Sequence, residues 1–307
     1  MSDLPAYMRW LPAASLQKIG KLEFLAHGAV DGFVAGRHKS VRKGSSVEFA
    51  EHRQYVPGDD IRSLDWKIVA RTRRLYIREF VDETNLRATV VLDSSGSMNF
   101  RGKKAYAGLT KLNYAKHLAA LFSYLLINQQ DAVGLVTYDS LIRNFIPAKS
   151  RPAQLKNILE SINSLECGGE TQTADVLHDV AERIPRRGVV LLLSDFFSEI
   201  NSLVKALHHL SYRKHEVIAV QIVADEELNF PYSRMSRFED LESSSVLNID
   251  TRAIRNEYLE RFNKHHNEFK RACGELHITG ELVSTSTPFD EALADILIRY
   301  HQNGGRG

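Results

Sequence analysis

The chain has 307 residues, 43% hydrophobic and 25% charged, with Lys+Arg 40 against Asp+Glu 38 and a formal net charge of +2. That is ordinary globular composition, with room for one large domain or a medium and a small one, and it excludes a disordered polyelectrolyte, an acidic tail or a nucleic-acid binder driven by overall charge. Two cysteines, Cys167 and Cys273, form neither a disulfide framework nor a CxxC metal pattern and fit a reducing compartment.

The first 35 residues read as weakly helical, and MSDLPAYMRWLPAAS has no charged region ahead of a long apolar stretch, so the expected location is the cytoplasm. From residue 36 to 85 the texture changes. GSSVEFAEHRQYVPGDDIRSLDWKIVARTRRLYIREF lacks helical periodicity, is punctuated by Pro57 and Gly58, and ends in alternating RLYIREFV. This predicts a partly β element, so that residues 1–85 form a small helical and β part and residues 86–307 the main domain.

Eleven Lys/Arg against five Asp/Glu between Arg37 and Arg78 make that element locally basic. Without a nucleic-acid motif the excess reads as ion pairing, internal or partner-facing. Asp59, Asp60 and Asp65 beside Trp66 read as a turn and a pinned loop rather than as paired catalytic acids.

From residue 86 the pattern alternates between short apolar runs and helical stretches, the mark of βαβ units and a mostly parallel sheet. VVLD at 90–93, 131–139, 188–195 and 216–224 read as strands. Helices are expected near 110–128, 151–164, 173–184, 200–212 and 251–273, then a strand near 276–283 and a helix near 289–301. LAALFSYLLI (118–127) is too short to span a bilayer and reads as a core helix. The fold class is therefore α/β, a doubly wound and mostly parallel sheet.

In such sheets ligands bind beyond the carboxyl ends of the strands. Three of those ends carry matching chemistry: Asp93, Ser95 and Ser97 in DSSGS, Thr171 in CGGETQT, and Asp195 after GVVLLLS. Hydroxyl and carboxylate oxygens suit a hard cation, Mg²⁺ first, with Mn²⁺ or Ca²⁺ also able to use such ligands. The serines and the threonine would touch the ion, with Asp93 and Asp195 holding its waters or the hydroxyls. The competing reading is that the hydroxyls only cap helices.

Cys167 reads as a small buried hydrophobe. The pairs His208/His209 and His265/His266 project about 100° apart on a helix, poor geometry for sharing an ion, and read as surface residues. GxSxG, Walker A and GxGxxG motifs are absent, which removes the commonest hydrolase, nucleotidase and dinucleotide readings.

DSSGS with Thr171 and Asp195 looks like the metal-ion-dependent adhesion site of von Willebrand factor A domains, which implies their doubly wound fold. The stretch from GRHKSVRKG to REFVDE, with GDD, DW and AR at their relative positions, resembles the signature of the bacterial Domain of Unknown Function 58 family. Together the resemblances cover residues 36 to 224. Related loops often read GGT where this one reads GGET, so Thr171 rests on counting back from Leu177, with Thr173 as the alternative. Some relatives carry transmembrane helices, and this chain departs from them in having none.

The resemblance implies a non-enzymatic, metal-dependent adaptor that recruits a carboxylate from a protein partner, with a MoxR-type AAA+ ATPase the partner suggested. The alternative from another class is a metal-dependent hydrolase using the same cation.

Overall fold

Runs such as Val90–Leu92 and Val189–Leu193 are buried on both faces, and this decides the architecture, because a strand apolar in every position needs helices above and below it. In the computed structural model the described residues are 5–18, 48–54, 71, 75–81, 86–169, 172–184, 187–233, 235–241 and 245–304, with backbone alone described at 48–54, 76–81 and 303–304. The chain divides into two units, Val34–Asn85 and Met1–Phe33 with Leu86–Gly307.

In the smaller unit, β1 (Glu48–Gln54) pairs antiparallel with β2 (Tyr76–Val81), with an irregularity between Phe49 and Glu51. Asp59, Asp60, Asp65 and Trp66 lie outside the described residues.

The larger unit is built on a six-stranded sheet of β3 (Arg87–Asp93), β4 (Ala132–Tyr138), β5 (Ile142–Lys149), β6 (Val189–Ser194), β7 (Glu216–Val223) and, after the exposed hairpin β8 (Met235–Glu239) and β9 (Val246–Asp250), β10 (Thr279–Ser284). The spatial order is β5-β4-β3-β6-β7-β10. All neighbours are parallel except β4 with β5. This is the expected class, α/β with a mostly parallel, doubly wound sheet.

Beside the helical residues 13–18, its helices are α1 (Lys111–Asn128), α2 (Pro152–Ser164), α3 (Thr173–Arg183), α4 (Ile200–Tyr212), the short α5 (Asp225–Asn229), α6 (Thr251–Glu275) and α7 (Phe289–Gly304). Alternate residues of one strand serve opposite layers: Val90 and Leu92 pack with α1, α2 and α7, while Val91 packs with α3, α4 and α6. The described N-terminal residues belong to the first layer, with Trp10 and Leu11 buried in it. Those residues are thus part of the larger unit, whereas the sequence grouped them with residues 36–85. Among the described residues no helix is long and apolar enough to cross a membrane.

Polar Arg143 and Asn144 and the N–H-free Pro147 hide β5 in the sequence, yet all are tolerated at a sheet edge. Close approach of the chains needs Gly134, where a Cβ would lie 2.7 Å from Ile146 O and 2.8 Å from Ala148 N. Buried Gln154 then donates to both Val133 O and Pro147 O at 2.9 Å, satisfying two carbonyls at the irregular pairing.

Candidate metal centre

β3 and β6 are neighbours in the sheet, but β3 leads into α1 on one face and β6 into α4 on the other. The chain leaves the two strands in opposite directions, which opens a crevice beyond their carboxyl ends. Asp93 and Asp195 stand at those ends, both fully buried.

Asp93 Oδ1 accepts the Ser95 N–H at 2.9 Å and Oδ2 accepts the Ser194 hydroxyl at 2.6 Å. The turn that follows is held by Ser94, whose N–H and hydroxyl both donate to Tyr138 O at 2.7 and 2.8 Å. Ser95 precedes a 3-10 turn, Gly96–Asn99, without a side-chain capping bond. Its hydroxyl lies instead 3.1 Å from that of Ser97, which is half-buried. Ser95 therefore makes no capping bond of the kind the helix-capping reading requires.

The loop after α2 is fastened to the same turn. Gly168 N–H donates to Ser94 O at 2.9 Å and Gly96 N–H donates to Gly169 O at 3.1 Å. Gly169 has φ +76° and passes so close to Asp139 that a Cβ would sit 3.3 Å from its carboxylate, so two separate demands favour glycine there. Thr171 lies outside the described residues. Thr173 opens α3; its hydroxyl is buried without a hydrogen-bond partner, within electrostatic reach of the Tyr138 phenol but outside bonding geometry.

Asp195 is held from the opposite side. Its Oδ1 accepts the Phe197 N–H at 3.2 Å, and its Oδ2 lies 2.8 Å from the ammonium of Lys111 at the start of α1. Lys111 also donates to Glu227 Oε1 at 2.8 Å, and Glu227 Oε2 accepts the Ala224 N–H at 2.7 Å. Behind this, Gln221 Nε2 donates to Asp195 O at 3.1 Å and Gln221 Oε1 faces His266 Nδ1 at 2.8 Å. His265 and His266 are therefore half-buried supports of this loop and of Ser198 O, not surface residues. His209 is half-buried too, its Nδ1 3.0 Å from His178 Nδ1, whereas His208 is exposed.

Burial, and then the neighbouring Asp195 carboxylate, raise Asp93 to about 7 against the hydrogen bonds from Ser194 and Ser95. Burial alone would lower Lys111, but the Asp195 and Glu227 carboxylates carry it above the ordinary lysine value. Burial also raises Glu227 despite its lysine.

Among the described residues, no group of three or more His, Cys, Asp or Glu side chains is arranged to hold a metal. The serine pair nevertheless has the right spacing. Adjacent ligands around Mg²⁺, each at roughly 2.1 Å, stand about 3.0 Å apart, and Ser95 Oγ and Ser97 Oγ are 3.1 Å apart. A hard cation would find two hydroxyl oxygens there, at a separation that an ordinary hydrogen bond between them gives equally.

Of the predicted site residues, Asp93, Ser95, Ser97 and Asp195 are described at the crevice. Lys111, Glu227, Ser194 and Tyr138 escaped the sequence reading. Ser194 alone left a local trace, the serine closing an all-apolar strand; Lys111 looks like any helix-starting lysine.

"Uncharacterized protein Rv1480" of Mycobacterium tuberculosis is 27% identical over 294 residues, covering 93% of this chain and 88% of its own length. "Uncharacterized protein Mb1516" of Mycobacterium bovis matches to the same extent. Among solved structures, BatB from Bacteroides thetaiotaomicron is similar with a TM-score of 0.43 and 16% identity, over 71% of this chain and 99% of that one. The SpRpn10 VWA domain gives a TM-score of 0.37 and 12% identity, over 69% and 94%. A family model matches residues 51–268, and by that match the chain belongs to the family described as "Protein of unknown function DUF58".

Proposed function

We propose that the larger unit is a von Willebrand factor A-like, metal-dependent protein-interaction module of the cytoplasm. Ser95, Ser97 and Thr171 would hold Mg²⁺ directly, Asp93 and Asp195 would support its shell, and an acidic side chain of a partner would complete it. One observation carries this reading: four oxygen-bearing residues from two strand ends meet at the sheet's switch point, with two hydroxyls at octahedral-edge spacing.

Lys111 supports the second half of the reading. It already neutralises Asp195 at 2.8 Å, so a divalent ion would be poorly compensated by the protein and would attract an external carboxylate. The partner suggested by resemblance is a MoxR-type AAA+ ATPase, with this chain as the adaptor. Pulldown from lysate in Mg²⁺ or EDTA, with wild type beside Ser95→Ala/Ser97→Ala, tests it. Capture that needs both the cation and the serines is expected; capture indifferent to both would sink the reading.

A second reading has its own observation. A carboxylate raised to about 7, as Asp93 is, suits a general base at neutral pH. A metal-dependent hydrolase would then turn over phosphate or carboxylic esters and lose that turnover in Asp93→Asn. A substrate panel separates the readings, because the adaptor shows none.

A further inference from the structure

Beside the candidate metal centre lies an open cavity of about 380 Å³ whose walls are mostly polar. It shares both loops of the centre: Asn99 comes two residues after Ser97, and Cys167 directly precedes Gly168, which is bonded to Ser94. The Cys167 thiol feels the charges of both Lys116 and Asp93.

The lining is rich in donors. Lys116 is 96% buried, donates to Leu165 O, and stands 5.0 Å from the centre of the Trp10 ring. Arg9 lies over the same indole at 4.6 Å. Trp10 Nε1 donates to Asn163 Oδ1 at 3.3 Å, which turns the NH₂ of that amide away from the indole. Asn113 and Asn99 add two more amides, against a single carboxylate, the exposed Glu166.

Two cations, one of them desolvated, beside three amides make a receptor for an anion that brings its own acceptors. Burial, with Arg9 adding to it, has lowered Lys116 to about 8, a deficit that a bound anion would relieve. Arg9, Asn99 and Glu166 are exposed, so the cavity is reachable by a side chain presented from outside.

We propose that this cavity is an anion subsite for the partner, taking a second carboxylate of the same acidic peptide segment whose first carboxylate meets the cation. The inference rests on the metal-dependent reading above, and it narrows the partner to a segment with clustered Asp or Glu rather than a lone acid.

The test uses two fluorescein-labelled probes, hexaglutamate and a hexapeptide with one glutamate among serines, titrated with the full chain at fixed ionic strength in Mg²⁺ or EDTA. Hexaglutamate is expected to bind about tenfold tighter in Mg²⁺ than the single-acid probe. In Arg9→Gln and in Lys116→Gln that ratio should fall to about twofold or less, and in Lys156→Gln, a control on an exposed lysine of α2, it should not change. Arg9 is exposed, so its variant carries the test even if Lys116→Gln fails to fold.

An unchanged ratio in Arg9→Gln and folded Lys116→Gln, with Mg²⁺ dependence intact, overturns the subsite and leaves the metal reading standing. An equal fall in Lys156→Gln also overturns it, as diffuse attraction. A ratio that depends on Arg9 but ignores EDTA keeps the subsite and removes the metal.

Discussion

Lys111 and Asp195 are 84 residues apart in sequence and 2.8 Å apart in space, and neither side chain is exposed by more than 1%. Their pairing joins the start of α1 to the end of β6 across the switch point of the sheet. Glu227, at 2.8 Å from the same ammonium, makes the cluster a buried lysine between two acids. Such a cluster holds geometry more than it adds net stability, because desolvation offsets much of the attraction.

Lys111→Met should therefore be strongly destabilising. It leaves the buried Asp195 and the half-buried Glu227 without their cation, and breaking a buried pair from one side costs about 3–5 kcal/mol. Urea denaturation measures the loss, and adding Asp195→Asn should recover part of it. A single variant as stable as wild type would show that the ammonium does not sit between these acids.

Stability in EDTA should fall as pH rises. Asp93 is raised from an ordinary 3.8 to about 7, so the folded state binds a proton that the unfolded state has released across that interval. The contribution is fully present below the unfolded value and is lost as pH passes the folded one. A divalent cation relieves the buried carboxylates, so Mg²⁺ should raise the melting temperature more at pH 8 than at pH 5. Melting curves at both pH values check the sign, and a larger Mg²⁺ effect at pH 5 would contradict it.

Ser95→Ala and Ser97→Ala should each keep the fold and lose the Mg²⁺ response. The hydrogen bond between the two hydroxyls is worth about 1 kcal/mol, small beside the stability of the whole domain. Circular dichroism should be unchanged while the Mg²⁺-dependent shift in melting temperature disappears. A wild-type Mg²⁺ response retained in the double variant rules these hydroxyls out as ligands.

Gly134→Ala probes the frame. Its Cβ would meet backbone atoms of β5 at 2.7 and 2.8 Å, and backbone cannot rotate aside as a side chain can. Overpacking of this kind costs about 1–3 kcal/mol or more. The expected result is a lower denaturation midpoint with the slope unchanged.

Much of the larger unit was legible residue by residue. The runs at 188–195 and 216–224 are short and near-continuously apolar, the second rich in β-branched residues, as strands covered on both faces are, and β6 and β7 fall within them. β5 was not legible, because one side of an edge strand meets solvent and its Arg143, Asn144 and Pro147 read as loop. The β8–β9 hairpin escaped for the same reason, with Met235, Val246 and Leu247 exposed among polar residues.

By itself the sequence determined the periodicities, and with them the class of fold and the strand ends at which Asp93 and Asp195 fall, since burial pattern is a local property of a few successive residues. Only the tertiary structure decided what surrounds those ends. The lysine between Asp195 and Glu227, the serine and tyrosine behind Asp93, and the cation-lined cavity beside Asn99 and Cys167 each join segments tens of residues apart. Electrostatic environment depends on distance through space, and strand order sets that distance.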